Sequence, residues 1–205
     1  MGRDGSFTAE EVINVNYFGP RRVNDYFGKL LLQRPGGRIV NIGSAGGPNY
    51  VSRLLETDPS LYQKLARPWT ISGGIPELDE IAMNNKHMLQ GDSYGGSKAL
   101  VNALTVLQAK LDSNKDIIIN SVSPGWIMTD MTKNSGASGT VEKGAVPPCW
   151  AMMDEGFIAK EPAGRYYGSD CVRSPMNVYR GPGEDPYVSD DDLVELSEAA
   201  NAASK

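Results

Sequence analysis

Long apolar runs are missing from this 205-residue sequence. No stretch reaches the roughly 18 apolar residues that a membrane-spanning helix needs, and the first ten residues lack the apolar core of a signal peptide. Cysteine is scarce as well, because Cys149 and Cys171 stand far apart and form no C-x-x-C pair. Neither a zinc site nor a redox motif is therefore indicated. These absences favour a protein of the reducing cytoplasm, with no membrane contact and no bound metal.

Basic charge and histidine are also limited. Lysine and arginine number 20 against 25 acidic residues, which gives a net charge of -5. That balance argues against a nucleic-acid partner, which would select a basic patch. A Ser–His–Asp hydrolase would depend on His87, the single histidine, and no G-x-S-x-G elbow accompanies it. We interpret His87 as a solvated helix residue, and Ser189 with Asp190, Asp191 and Asp192 as a helix N-cap rather than a metal site.

The hydrophobic pattern alternates between helices and short strands. Thr8 and Glu11 form a capping box that begins a helix, whose apolar stripe is interrupted by Pro20. The stripe contains Val12, Val15, Phe18, Val23, Phe27, Leu30 and Leu31. A stronger helix is predicted over 94–112. Two apolar runs rich in β-branched residues, 38–43 and 116–124, predict buried strands, and 165–170 predicts a third. This order indicates an α/β fold with a parallel sheet.

Residues whose side chains could take part in catalysis follow the ends of these strands. Ser44 comes directly after the first strand, and Tyr94 and Lys98 lie on one face of the following helix at i and i+4. Ligands of open α/β sheets bind beyond the carboxyl ends of the strands. A nearby cation lowers the pKa of a phenol, which suits it to proton transfer. Ser44 could hydrogen-bond a carbonyl oxygen on which charge develops. The small residues Gly95 and Gly96 are expected to keep the helix start clear for a ligand.

Together these segments resemble the short-chain dehydrogenase/reductase family, and most of all its monomeric carbonyl reductases. NVNYFG matches the family's asparagine segment at Asn16, and GRIVNIGS matches the strand that ends in the catalytic serine, Ser44. Tyr94 and Lys98 match its Y-x-x-x-K pair. SPGWIMTDM (123–131) matches the segment that wraps the nicotinamide. The likeness covers about residues 8–170, and it implies the C-terminal half of a doubly wound, Rossmann-like sheet.

The resemblance implies a role for each matched residue. Tyr94 donates a proton to the carbonyl oxygen of a small-molecule substrate, Lys98 binds the nicotinamide ribose, and Asn16 holds a water in a proton relay. NADPH supplies the hydride. Ser44 positions the substrate carbonyl, next to the substrate-facing aromatic Trp126. The remaining cofactor contacts implied are Pro124, Gly125, Ile127 and Thr129.

Each residue also has a structural interpretation. Tyr94 and Lys98 could form a surface pair, because Y-x-x-x-K spacing alone is common by chance. Ser44 could be a loop serine and Asn16 a polar residue inside a helix. Trp126 could belong to the core or its rim, since tryptophan is highly buried on average.

One departure from the family concerns the N-terminus. The family begins with a strand and a glycine-rich turn that binds the pyrophosphate at a helix N-terminus. Neither G-x-G-x-x-G nor T-G-x-x-x-G-x-G precedes residue 8. About four strands of the family fold, and the segment that separates NADP from NAD, are expected to be absent. The alternative function is therefore an inactive fragment or an interaction protein that keeps the family's C-terminal half.

The resemblance also divides the chain. Residues 1–180 are expected to form one partial reductase domain, and 181–205 a polar C-terminal tail. Residues 46–92, with weak helical patterns near 58–66 and 77–89, look like the insertion of the carbonyl reductases. That insertion covers the surface through which most of the family pairs with a second subunit, so the resemblance implies a monomer.

Overall fold

A computed structural model describes residues 7–31, 36–84, 91–114, 116–160 and 163–188. The chain begins with α1 (Ala9–Ile13), a π-helical turn (Asn14–Phe18), α2 (Gly19–Leu31) and β1 (Gly37–Ile42). It continues through α3 (Gly46–Thr57), α4 (Pro59–Ala66), a 3-10 turn (Pro68–Thr70), α5 (Gly74–Met83) and α6 (Ser93–Ala109). After a second 3-10 turn (Asp112–Asn114) come β2 (Ile117–Val122), α7 (Val141–Met153), α8 (Glu155–Lys160) and β3 (Tyr166–Tyr167).

The strands form a parallel sheet in the order β1-β2-β3, which confirms the predicted fold class. Ile39 pairs with Ile119 and Asn41 with Ser121. The third strand is only two residues long, against the six predicted. Because all strands run in the same direction, their carboxyl ends meet at one edge of the sheet, where the predicted site lies.

The main core forms around α6, which is buried on nearly every side. Leu100 and Leu104 have no exposed surface, and they belong to a cluster shared with α1, α3, α4 and α5. Leu111, which the helix predicted over 94–112 includes, is 43% exposed because α6 ends before it. The helix α3 is absent from the sequence-based prediction. Its start, Gly46-Gly47-Pro48, has the composition of a turn, yet Gly47 allows α3 to lie against the backbone of α6.

The capping box at Thr8 and Glu11 is present as predicted. Pro20 interrupts the helix through a change of helix type. The residues that precede α2 form a π-helical turn. A proline has no backbone N–H, so Pro20 cannot give the Asn16 carbonyl the hydrogen bond of an ordinary α-helix. The wider turn before Pro20 is the local response to that missing donor.

The predicted apolar stripe of this region is wrong for four positions. The side chains of Val15, Val23, Phe27 and Leu30 are 48%, 54%, 60% and 57% exposed. The inner side of α2 is polar, because Asn24 donates hydrogen bonds to Asn41 of β1 and to Gln108 of α6. The π-helical turn shifts the phase of the helix, so a regular 3.6-residue count does not identify the buried face.

Residues 181–188 contact the preceding segment. The Tyr187 amide donates to the Arg173 carbonyl at 3.1 Å, and the Arg173 guanidinium lies over the Tyr187 ring. The division into 1–180, an insertion over 46–92 and a tail over 181–205 stays a prediction. His87 and the N-cap proposed at 189–192 lie outside the described residues. Across the ranges that the structure describes, the helices are too short or too polar to reach across a bilayer.

Replacing each of two glycines by alanine is expected to change the free energy of unfolding in opposite directions. A Cβ on Gly95 would lie 2.5 Å from the Asp92 carboxylate and 2.9 Å from the Gly46 carbonyl, whereas a Cβ on Gly28 meets nothing within 4 Å. We expect Gly95→Ala to lower the free energy of unfolding by about 1–3 kcal/mol through overpacking. Gly28→Ala, its matched control inside α2, should raise it by about 0.5–1 kcal/mol. Urea denaturation measures both, and a stabilised Gly95→Ala variant would contradict the packing argument.

Candidate active site

The carboxyl ends of the three strands surround one cavity of about 350 Å³. The turn after β1 contributes Ser44, the segment after β2 contributes Ser123 and Trp126, and the segment after β3 contributes Ser169. The two residues predicted to face the substrate, Ser44 and Trp126, therefore line the same space. Trp126 is 44% exposed, so it belongs to the rim of the cavity rather than to the core.

Hydrogen bonds within its own turn fix Ser44. Its hydroxyl oxygen accepts from the Gly46 amide at 3.1 Å, and its carbonyl accepts from the Gly47 amide at 3.0 Å. Gly43 precedes it, and a Cβ there would lie 2.7 Å from Asn102 Oδ1. The sequence places glycine where the strand must pass closely over α6, and the serine follows at the edge of the sheet.

Tyr94 and Lys98 lie in the first turns of α6, as the i, i+4 spacing predicts. The Lys98 Nζ lies 5.8 Å from the centroid of the Tyr94 ring. It donates a hydrogen bond of 2.9 Å to the carbonyl of Ile42, the last residue of β1. Burial disfavours the charged amine and lowers the pKa of Lys98 to about 8.

The low pKa of Lys98 gives a testable titration. We expect ¹³C-labelled lysine spectra to show one side chain titrating near pH 8, and this signal to be missing from Lys98→Met. The sign for stability follows from linkage. Between about pH 8 and the ordinary lysine value the unfolded chain binds a proton that the folded chain has released. The free energy of unfolding should therefore rise with pH across that window, and less so in Lys98→Met. A Lys98 signal titrating above pH 10 would contradict this account.

Ser97 links two of the predicted catalytic residues and is missed by sequence reasoning. The side-chain amide of Asn16 donates a hydrogen bond to Ser97 Oγ at 3.1 Å, and Ser97 Oγ donates one to the backbone carbonyl of Tyr94 at 2.7 Å. Both Asn16 and Ser97 are buried. The sequence signal is weak, because Ser97 is one of several polar residues on α6 that are buried, with Asn102, Thr105 and Gln108.

The structure gives Gly95 a different purpose from the one predicted. Asp92 caps α6 by accepting the Gly95 amide at 2.8 Å, and its carboxylate also pairs with Arg53 of α3. The space beside Gly95 is filled by Asp92 and by the Gly46 carbonyl. This glycine thus allows α6 and the segment before α3 to approach each other, rather than leaving room for a ligand.

The predicted cofactor segment follows β2 directly. Gly125 has a φ of +91°, a conformation that favours glycine. The side chain of Ile127 fills the space beside two other glycines, since a Cβ on Gly139 or on Gly144 would lie 2.7 Å from it. Thr129, further along, is exposed. The predicted contacts Pro124, Gly125, Ile127 and Thr129 therefore occur in one ordered turn at the edge of the sheet.

The far wall of the cavity comes from β3 and the segment after it, where no site residue was predicted. Tyr166 of β3 is buried, which raises the pKa of its phenol, and its hydroxyl is hydrogen-bonded to Ser123. Asp170 forms a two-point ion pair with Arg180, which also donates to the carbonyls of Glu184 and Asp185. Arg180 is thus engaged in holding this wall. A local pattern could not reveal this ion pair, because its partners lie ten residues apart with no helix between them.

Three comparisons with known proteins bear on this site. No family model matches the chain. It is 32% identical to NADPH carbonyl reductase 3 of Rattus norvegicus over 157 residues, covering 71% of this chain and 54% of that protein. It is 30% identical to (+)-neomenthol dehydrogenase of Arabidopsis thaliana over 145 residues, covering 68% of this chain and 48% of that protein. The chain thus spans about half the length of the curated relatives it matches.

Solved structures agree on the fold. An NADPH-bound carbonyl reductase from chicken fatty liver superposes with a TM-score of 0.51 at 21% identity, over 82% of this chain and 56% of that one. A 3-alpha-hydroxysteroid dehydrogenase from Pseudomonas sp. B-0831, complexed with NADH, gives 0.56 at 20% identity over 82% and 67%. The fold is the C-terminal part of a Rossmann-like α/β domain. The curated relatives of this chain are carbonyl reductases and other dehydrogenases of the short-chain dehydrogenase/reductase family.

Proposed function

We propose that this chain carries the catalytic half of an NADPH-dependent carbonyl reductase that acts on a ketone, aldehyde or quinone. The observation that carries the proposal is a set of contacts near the end of β1, beside the cavity that Ser44, Gly125 and Trp126 line. Asn16 is linked through Ser97 to Tyr94, while Lys98 is anchored to the end of β1 just before Ser44. When bound, NADPH would supply a hydride to the carbonyl carbon.

The chain's own residues have distinct tasks in this proposal. Tyr94 gives its phenolic proton to the carbonyl oxygen as the hydride arrives. Ser44 donates a hydrogen bond to the same oxygen, where negative charge develops. Lys98 keeps a positive charge beside the Tyr94 ring below its pKa of about 8 and binds the nicotinamide ribose. Asn16 holds a water that returns a proton to the site.

The residues present fit the nicotinamide end of the cofactor. The turn that contains Gly125, Ile127 and Thr129 borders the cavity and is fixed by its own hydrogen bonds. Lys98 is close enough to the same edge to contact a ribose hydroxyl. The pyrophosphate end is different, because the sequence contains no G-x-G-x-x-G or T-G-x-x-x-G-x-G turn.

The direct test is reductase turnover. NADPH oxidation would be followed by absorbance with a reactive quinone, an aldehyde and a ketone, using a polypeptide that contains these residues and is monodisperse. Substrate-dependent oxidation supports the proposal. Absence of turnover in a polypeptide that binds NADPH would favour the second candidate, an inactive fragment or interaction protein. The open edge of β1, which has a described neighbour only in β2, is the observation that favours that alternative.

A monomeric state and a cytoplasmic location belong to the same proposal. The segment from α3 to α5 packs on α1 and α6, and Tyr17 donates a 2.6 Å hydrogen bond to Asp79 of α5. The apolar side chains of α6 are thereby covered, and covering this face is what the resemblance to the monomeric carbonyl reductases implies. Cys149 and Cys171 are free thiols, which fits a reducing compartment.

We therefore expect a single sedimenting species of the monomer's mass, in a polypeptide whose β1 edge is also covered. The physical reason is that the leucine and valine side chains of α6 are at most 7% exposed, which leaves little apolar surface there for a partner. Sedimentation velocity across a hundredfold concentration range measures the mass. A stable dimer or tetramer, together with rapid proteolysis between residues 46 and 83, would contradict this expectation.

A further inference from the structure

Thr132 is a buried threonine that has no task in the chemistry above, with 8% of its surface exposed. It lies three residues after the predicted cofactor contact Thr129, inside a closed turn. The Met128 amide donates to the Gly139 carbonyl at 2.8 Å, and the Gly139 amide donates to the Trp126 carbonyl at 3.0 Å. Thr132 therefore sits in a fixed frame, and its hydrogen bonds can be assigned one by one.

The Thr132 hydroxyl has three close partners around one oxygen, and the Thr129 carbonyl lies further away at 3.4 Å, where it too could only accept the proton of Thr132. A hydroxyl has one proton and two lone pairs. Thr132 Oγ1 contacts the carbonyl of Ile127, and a carbonyl oxygen can only accept, so the proton of Thr132 lies in that bond. The Thr129 amide donates to Thr132 Oγ1 at 2.9 Å and uses one lone pair.

The remaining partner is the hydroxyl of Thr129, at 3.1 Å from Thr132 Oγ1. Since the proton of Thr132 is already used, Thr129 must donate its own proton to the second lone pair of Thr132. Thr129 Oγ1 is then left with lone pairs and without a proton to give. Because Thr129 is exposed, those lone pairs are available to a ligand.

We propose that Thr132 is a positioning residue that turns Thr129 into a hydrogen-bond acceptor for a primary carboxamide N–H. This inference rests on the proposed function, in which that amide belongs to the nicotinamide ring. A hydrogen-bond acceptor at this point favours a ligand that has an N–H to donate. It makes no hydrogen bond with a ligand that has only acceptor atoms there. Thr132 thereby selects the carboxamide group and fixes the orientation of the ring that bears it, without touching the ligand.

The test compares two ligands that differ only in this group. Reduced nicotinamide mononucleotide has the amide, and its 3-acetylpyridine counterpart has a methyl ketone without an N–H. Dissociation constants would be taken from chemical-shift titrations of the ¹⁵N-labelled full chain at millimolar ligand. The parent should prefer the amide by about threefold to tenfold, the usual range for one neutral hydrogen bond. Thr132→Ser keeps the hydroxyl and should keep that preference.

Thr132→Val removes the acceptor for the Thr129 hydroxyl, so the preference should fall below about twofold. Hydrogen exchange of the Thr129 amide should also accelerate in the ligand-free protein, because its bond partner is gone. Thr129→Val leaves the buried Thr132 in place and should also lose the preference for the amide ligand. This variant replaces Thr132→Val in the test if Thr132→Val does not fold.

Three results would overturn the inference. A Thr132→Val protein that weakens both ligands equally and keeps the preference would reduce Thr132 to a packing role. Saturable binding of both ligands without any preference in the parent would reject Thr129 as the acceptor for the carboxamide, while the proposed function would stand. No binding of either ligand would reject both the inference and a nicotinamide site at this turn.

Discussion

Replacing Tyr94 by phenylalanine should lower the rate of carbonyl reduction by at least about 10²-fold, the usual loss for a general acid. The ring and its packing at the start of α6 are retained, and only the phenolic proton is removed. Lys98 lies 5.8 Å from that ring, so its charge would remain in place without a group to act on. The measurement is the steady-state rate with NADPH and a reactive quinone or aldehyde, in a polypeptide that carries these residues and turns over.

The matched control is Tyr26→Phe. Tyr26 is on α2, is 78% exposed and has no role in the proposed mechanism, so the same chemical change there should leave the rate within a factor of two. Thermal denaturation of both variants would show whether the fold is retained. A Tyr94→Phe rate within threefold of the parent would remove Tyr94 from the role of proton donor, and with it the proposed mechanism.

The sequence predicts the first two strands of the sheet well because both are rich in isoleucine and valine. The runs 38–43 and 116–124 are continuous in β-branched apolar residues, and this pattern survives any rearrangement of the helices around it. Parallel strands bring their carboxyl ends to one edge of the sheet. Ser44, the turn after β2 and the helix with Tyr94 and Lys98 are therefore expected near that edge. The sequence therefore predicts which segments lie at that edge, and the assignment of a catalytic site to their residues stays a prediction.

Helix faces and long-range polar contacts could not be predicted in the same way. The π-helical turn before Pro20 changes the phase of α2, which leaves Phe27 exposed and turns Asn24 inward. The helix α3 begins with a glycine pair whose purpose, close approach to α6, exists only in three dimensions. The hydrogen bonds of the Thr132 hydroxyl could not be predicted from the sequence either, because its partners are set by a turn that closes at Gly139.

The second large effect concerns the cofactor. We expect this 205-residue polypeptide to bind NADPH no more than about threefold more tightly than reduced nicotinamide mononucleotide, and to show no clear turnover. Hydrogen bonds to charged groups contribute roughly 1.5–3 kcal/mol each, so a pyrophosphate site normally separates these ligands by orders of magnitude. In this fold that site is a glycine-rich turn at a helix N-terminus, and the sequence has no such motif.

Calorimetric titration of monodisperse protein with both ligands measures this ratio. Monodispersity is itself part of the argument, because β1 has a hydrogen-bonded neighbour among the described strands only on the side of β2. Its other edge presents backbone N–H and C=O groups beside apolar side chains, an arrangement that invites pairing with another chain. A self-associated sample could bury the cavity edge and imitate weak binding. Micromolar affinity for NADPH in the monodisperse fraction, or clear reductase turnover by this polypeptide, would contradict the expectation. Either result would mean that residues of this chain hold the pyrophosphate without the glycine-rich turn.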